Sequence, residues 1–94
     1  MSDYRLHQEK AKAQLEEWEA ELDKYRAQMK KKEAGDRIEL EKEHQKLEQK
    51  FQEAKAKYDE MKSSGEEAWE SMKDGMESAW NEISSAFEDA KSKF

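Results

Sequence analysis

The sequence predicts an all-α protein: an antiparallel coiled-coil hairpin followed by an amphipathic C-terminal helix. Three observations lead to this prediction. The 94 residues include no proline, valine, threonine or cysteine, so the residues that favour β-sheets are nearly absent. Apolar residues recur at alternating steps of three and four, which is the coiled-coil pattern. Turn signals interrupt that pattern at only two places, around Gly35 and around Gly65.

A first helix is predicted over residues 3–33. Basic residues at 30–32 suit a helix C-terminus because they complement the helix dipole, and Gly35 suits the position just after a helix. The seam of this helix runs with coiled-coil spacing through Tyr4, Gln8, Ala11, Leu15, Trp18, Leu22, Tyr25 and Met29.

A second helix is predicted over residues 37–62, because Asp36 with Glu39 forms a capping-box pattern at its start. Its seam is Leu40, His44, Leu47, Phe51, Ala54, Tyr58 and Met61. When the two seams are paired antiparallel so that residue numbers add to 69, each layer joins compatible volumes, as in Trp18 with Phe51 and Leu22 with Leu47. Two charge pairs should then flank the seam, Arg26 with Glu48 and Glu21 with Lys50.

The C-terminal helix is predicted over residues 66–93, behind a second capping-box pattern at Ser64 and Glu67. From Glu67 the chain repeats itself as EAWESMKDGME and SAWNEISSAFE. An eleven-residue period is about 3.67 residues per turn, which keeps apolar residues on one face of a nearly straight helix. We expect that face to be an interaction surface, formed by Trp69, Met72, Met76, Trp80, Ile83 and Phe87.

Two architectures remain open for the C-terminal segment. It either folds back in a three-helix arrangement, or continues the second helix so that one helix runs from residue 37 to 94. In both cases the chain divides into a hairpin, residues 1–62, and a tryptophan-bearing segment, residues 63–94.

Charge and composition restrict the function. Residues 66–94 carry eight acidic and three basic residues, and the whole chain has a net charge of −6. This charge disfavours nucleic acid and anionic membranes, whereas binding to neutral lipid or a hydrophobic surface stays an alternative. No apolar stretch follows the first residues, so we expect a cytoplasmic protein.

Catalysis is not expected. The E-x-x-H spacing of Glu41 and His44 resembles half of a di-iron carboxylate site, but His7 has Tyr4 three positions before it, so a second motif is lacking. We therefore predict no metal, and interpret His44 as a polar layer that fixes the register of the seam. Without glycine-rich loops or long loops to form a pocket, no cofactor and no small-molecule substrate are expected.

Self-association is expected instead. Eleven of the 32 hydrophobic residues are alanine, so a chain of this size has little apolar surface to bury. We predict a homo-oligomer or a filament, and a non-enzymatic structural or scaffold role.

The segment SGEEAWESMKDGMESAWNEISSAFEDAKSKF, with its duplicated A-W block behind a charged coiled-coil region, resembles a family of small bacterial coiled-coil proteins described as stress-response proteins. The resemblance implies a cytoplasmic, all-helical, non-enzymatic protein linked to stress. It implies no catalytic residues.

Overall fold

The computed structural model describes residues 2–94, so Met1, within the predicted hairpin of residues 1–62, lies outside the described residues. Helix α1 spans Ser2–Met29, and helix α2 spans Ala34–Lys91. Within α2, Gly65 alone has a non-helical backbone, with φ 80° and ψ 174°. We call residues 34–64 the N-terminal arm and residues 66–91 the C-terminal arm. The chain is all-α, as predicted.

The first turn differs in detail from the prediction. Helix α1 ends at Met29 rather than at residue 33, and its last turn tightens through hydrogen bonds from the Lys31 and Lys32 amides to carbonyl oxygens three residues earlier, 3.2 and 3.1 Å long. Gly35 is not the residue after a helix, because α2 already begins at Ala34. The chain therefore reverses without a left-handed residue at this turn.

The second break reverses the chain. A straight helix of 58 residues would be about 87 Å long, whereas the protein measures 51 × 19 × 18 Å. The combination of φ and ψ at Gly65 is open almost only to glycine, and there the C-terminal arm folds back along the hairpin. Of the two architectures left open by the sequence, the structure is thus the three-helix arrangement.

The core consists of two clusters along the bundle axis. The first, which we call the turn-end cluster, has the buried members Trp18, Leu22, Tyr25, Leu47, Phe51, Ala54, Ile83, Phe87 and Ala90. The second, the hinge-end cluster, has the buried members Ala11, Met61, Trp69 and Met76. Trp80 packs against both. Each cluster combines residues from both sides of the predicted 62/63 boundary, so the two segments share one core.

The predicted hairpin seam is confirmed. From residue 3 to residue 64, every buried residue belongs to the two predicted seams. Arg26 Nη2 lies 2.7 Å from Glu48 Oε1, as expected from the pairing. The other predicted pair, Glu21 with Lys50, is wrong, because Lys50 Nζ lies 3.8 Å from Glu53 Oε2 of its own helix. Glu21 instead faces Lys91 of the C-terminal arm.

Burial in the C-terminal arm follows a seven-residue step and not the eleven-residue repeat of its sequence. Trp69, Met76, Ile83 and Ala90 are buried and lie seven positions apart, and Phe87 is buried four positions after Ile83, which is also a heptad step. Trp80, the repeat equivalent of Trp69, is only half-buried. The reason is that the two seams that receive the arm are themselves heptads. The predicted apolar band therefore exists, but the groove selects which of its residues are fully covered.

Candidate functional site: the tryptophan-bearing face and its cavity

The predicted interaction face lies in the interior of the chain's own bundle. Trp69, Met76, Ile83 and Phe87 are buried, and Met72 and Trp80 are half-buried. All six residues belong to or pack against the two core clusters, which also contain residues of α1 and of the N-terminal arm. The structure brings the predicted face together as one surface, and its partner here is the hairpin of the same chain.

Aromatic rings fix the C-terminal arm on α1. The Trp18 ring stacks on Phe87 with a centroid distance of 5.1 Å and an interplanar angle of 10°, and its centroid lies 5.1 Å from that of Trp80. Near the end of the chain, Tyr25 stacks on Phe94 at 4.4 Å. Such pairs are each worth about 0.5–1.5 kcal/mol beyond the burial of their surface, so the turn-end cluster holds the arm firmly.

The hinge end is held differently. The Trp69 ring contacts the His7 ring, 4.9 Å between centroids, and the Tyr4 ring, 6.0 Å. The Tyr4 hydroxyl donates a hydrogen bond of 2.7 Å to the Met61 carbonyl oxygen. This carbonyl lies four residues before the hinge at Gly65, where helix carbonyls begin to lack intrahelical partners.

Two serine hydroxyls also donate hydrogen bonds to backbone carbonyls near the end of the N-terminal arm. Ser63 Oγ donates to the Asp59 carbonyl at 3.0 Å, and Ser64 Oγ donates to the Glu60 carbonyl at 2.6 Å. Both bonds point back into the arm that ends there, a common alternative for serine within helices. In the predicted capping box the Ser64 oxygen would accept a hydrogen bond from a backbone amide of the following helix, whereas the hydrogen bond observed for this side chain runs back to Glu60.

A half-open cavity of about 270 Å³ lies at the hinge-end cluster, where α1 and both arms of α2 meet. Its apolar wall consists of Ala11, Met61, Trp69, Met76 and Trp80. Its polar lining consists of His7, Lys10, Glu77 and Asn81. The absence of long loops in the sequence predicts no pocket. The cavity arises between helices instead, and no pattern in the sequence marks it.

The same wall contains an unsatisfied donor. Trp69 is 1% exposed, and its indole Nε1–H is buried with no hydrogen-bond partner among residues 2–94. A buried polar group without a partner costs about 1–3 kcal/mol. The hinge-end cluster thus contains a buried polar group that no hydrogen bond compensates.

Ion pairs between the C-terminal arm and the hairpin lie on the surface. Lys73 Nζ is 3.9 Å from Asp3 Oδ2, and Lys93 Nζ, just after the end of the arm, is 3.2 Å from Glu43 Oε1. Exposed pairs of this kind contribute about 0–1 kcal/mol each. Apolar burial, rather than charge, therefore holds the arm in place.

One carboxylate sits unfavourably in the interface between α1 and the arm. Burial raises the pKa of Glu21, and the neighbouring Lys91 opposes this shift only in part. Glu21 Oε2 is buried and has no hydrogen-bond partner within the described chain. Burial, together with the Glu21 charge, also raises the pKa of Tyr25.

The two residues of the E-x-x-H spacing, Glu41 and His44, do not form a metal or catalytic site together. His44 is buried, and its Nε2 lies 2.9 Å from the Leu22 carbonyl oxygen, while Glu41 is exposed. His44 thus ties the N-terminal arm to α1, in keeping with the polar layer predicted for it. Within residues 2–94, no three histidine or acidic side chains are grouped to hold a metal ion.

No described helix combines the length and apolarity needed to cross a membrane. Comparisons with protein-family models, curated proteins and solved structures give no match to this chain.

Proposed function

We propose that this protein is a non-enzymatic structural protein of the cytoplasmic stress response, and that it self-associates by exchanging its C-terminal arm between copies. The stress-response role is supported by the resemblance of residues 64–94 to bacterial stress-response coiled coils. The exchange mechanism is supported by one observation above all. The whole tryptophan-bearing face is joined to the hairpin that it covers through a single non-helical residue, Gly65.

Exchange follows from where the face lies. An assembly that uses this face requires the arm to leave its own hairpin, which uncovers a groove lined by Trp18, Leu22, Leu47 and Phe51. The same arm from a second copy fits that groove with identical contacts, as in domain swapping. Two chains that exchange arms form a closed dimer, and a chain that passes its arm onward forms a filament.

The hinge makes the open form accessible. If Gly65 takes helical angles, α2 becomes one straight helix of 58 residues, about 87 Å long. This straight helix is the long-helix architecture that the sequence also allows. The open chain keeps the arm away from its own α1 and presents it to another copy.

The experiment that tests this function is the variant Gly65→Ala. A Cβ at position 65 meets no atom within 4 Å, so the substitution acts on the backbone alone. Alanine disfavours the observed angles by about 1–3 kcal/mol and favours a helix by about 1 kcal/mol over glycine. Because two chains open per dimer, we expect the dimer dissociation constant to fall about a thousandfold or more.

Light scattering coupled to size exclusion and small-angle scattering measure the outcome. We expect Gly65→Ala to be a dimer with a maximum dimension well above the 51 Å of the closed chain. The matched control is Gly75→Ala, which is exposed, lies within the arm and also meets no atom within 4 Å. The control should gain about 0.5–1 kcal/mol of stability with no change of mass. A Gly65→Ala protein that stays a compact monomer at every concentration would refute arm exchange.

The second candidate function uses the same face to bind neutral lipid or another hydrophobic surface. The specific observation in its favour is that the face contains two tryptophans, Trp69 and Trp80, which release at Gly65 would expose, whereas the acidic character of residues 66–94 opposes binding to anionic lipid. Flotation of Gly65→Ala with phosphatidylcholine vesicles distinguishes the two. Recovery of monomeric protein with the vesicles would favour lipid binding, and recovery of unbound dimer would favour self-association.

A further inference from the structure

The sulfur atoms of the core are concentrated at its hinge end. Met61 and Met76 are buried members of the hinge-end cluster, and Met72 packs against it. The turn-end cluster, as far as the described chain shows it, contains aromatic, aliphatic and alanine side chains but no methionine. Oxidation converts the apolar methionine side chain into a polar one. Such a reaction therefore alters one half of this core and leaves the other half apolar.

These three methionines lie on both sides of the hinge. Met61 is four positions before Gly65, and Met72 and Met76 follow it on the C-terminal arm. One cluster holds all three together with Trp69, so this half of the core exists only while the arm is folded back. A change in the polarity of the methionine side chains therefore acts directly on the contact between the two arms.

The exposure of the three methionines to solvent is graded. Met72 is half-buried, Met76 is 7% exposed and Met61 is 1% exposed. A dissolved oxidant reacts first with the side chains that it can reach. We therefore expect Met72 to react in the closed chain and Met76 to react after it, whereas Met61 becomes accessible only when the hinge end opens.

We propose that Met61, Met72 and Met76 form an oxidation site for peroxide, and that their conversion to sulfoxides opens the hinge end of the bundle while the turn end stays closed. In each reaction the thioether sulfur attacks one oxygen of hydrogen peroxide, an S–O bond forms and the O–O bond breaks. The sulfur gives up two electrons, and the departing hydroxide takes the proton of the transferred oxygen and leaves as water. The site acts within a single chain and does not depend on arm exchange.

Sulfoxides are unfavourable inside the hinge-end cluster. A sulfoxide oxygen accepts hydrogen bonds, and burying a polar group without a partner costs free energy. Within residues 2–94, the Trp69 indole N–H is the only buried side-chain donor that lacks a partner, so it compensates one sulfoxide at most. Opening the hinge end hydrates the others. At the turn end, the stacking of Trp18 on Phe87 involves no methionine, so the arm stays attached there.

Hydrogen exchange of the backbone amides tests the proposal on the full-length chain treated with hydrogen peroxide. Peptide mass spectrometry of the same samples locates each added oxygen. Once Met72 and Met76 are oxidised, we expect amide protection over residues 70–79 to fall at least about tenfold, the factor that corresponds to about 1.4 kcal/mol. Residues 83–90 should keep their protection within about twofold, because they belong to a separate unit of stability. Methionine sulfoxide reductases should restore the lost protection.

Three variants show which sulfur atoms are responsible. Met61→Leu, Met72→Leu and Met76→Leu combined keep the apolar volume of the cluster, and this protein should keep its protection over residues 70–79 in peroxide. Met29→Leu is the matched control, since Met29 is 8% exposed but is a member of neither cluster, and it should respond to peroxide like the wild type. Met76→Gln introduces a polar oxygen at a buried position, so it should lower the protection of residues 70–79 without any peroxide.

Four results would overturn the proposal. The first is the absence of sulfoxide at Met72 under conditions that fully oxidise free methionine. The second is unchanged protection of residues 70–79 in a chain whose Met72 and Met76 are oxidised. The third is an equal loss over residues 70–79 and 83–90, which would mean that the bundle unfolds as a whole. The fourth is a combined leucine variant that loses as much protection in peroxide as the wild type. None of these results bears on whether Gly65→Ala dimerises, so the oxidation site and arm exchange stand or fall separately.

Discussion

The Tyr4 hydroxyl lies 2.7 Å from the Met61 carbonyl oxygen and donates a hydrogen bond to it across 57 positions of sequence. This bond joins the first turn of α1 to the last turns of the N-terminal arm, just before the hinge. The Tyr4 ring also contacts Trp69 just beyond the hinge. One side chain therefore bridges both sides of Gly65, and it holds the hinge in its folded-back form.

Tyr4→Phe removes this hydrogen bond and keeps the ring. We expect a loss of about 1 kcal/mol, which corresponds to a fall in Tm of about 4–8 °C for a chain of this size. Thermal unfolding followed by circular dichroism measures it. Tyr58→Phe is the control, because Tyr58 is also half-buried but its hydroxyl makes no hydrogen bond within residues 2–94. Equal losses in the two variants would mean that the bond to Met61 does not stabilise the hinge.

Leu47→Ala tests the shared core. Leu47 is 1% exposed and belongs to the turn-end cluster with residues of α1 and of the C-terminal arm. Removing its side chain should cost about 2–5 kcal/mol in urea unfolding. Leu6→Ala makes the same chemical change at a residue that is 51% exposed, and it should change stability by no more than about 0.5 kcal/mol. If the two variants unfold at the same urea concentration, the seam assignment is wrong.

Glu21→Gln tests the unfavourable carboxylate through its pH dependence. The folded-state pKa of Glu21 is raised, so the folded chain holds this proton more tightly than the unfolded chain does. The stability linked to that proton is present at low pH and is lost as the pH rises through the raised pKa. Glutamine has no proton to lose, so the variant should melt higher than the wild type at pH 7.

The gain in Tm should be small, a few degrees at most, because Glu21 is partly solvated and solvent screens its interactions. It should shrink towards zero below about pH 4, where the unfolded carboxyl is also protonated. The control Glu19→Gln removes the same charge at an exposed position, and its effect should depend less on pH. A Tm difference for Glu21→Gln that stays constant from pH 7 to pH 4 would contradict the assignment.

The hairpin could be predicted from the sequence because its two seams are regular heptads that pair antiparallel with compatible side-chain volumes in each layer. Pairing them gave the layer of Trp18 and Phe51 and the surface pair of Arg26 and Glu48, which the structure confirms. The same pairing failed for Glu21 because it considered two helices, and the third helix brings Lys91 to that side chain.

The direction of the C-terminal arm could not be predicted, because a glycine permits both a helix and a reversal. Gly65 was identified as a break, but only tertiary contacts such as Trp18 with Phe87 decide that the chain folds back there. The cavity could not be predicted from the sequence either. It is a space that the side chains of three helices leave unfilled, so it depends on their relative positions and not on any residue pattern.

The arm that covers α1 lies at the far end of the sequence, so it is synthesised after the hairpin that it covers. Trp18 meets Trp80, 62 positions later, whereas the hairpin needs only residues up to the hinge. During synthesis at about 5–20 residues per second, the hairpin therefore precedes its covering arm by roughly 2–6 s. In that interval no arm of its own chain covers the groove between α1 and the N-terminal arm.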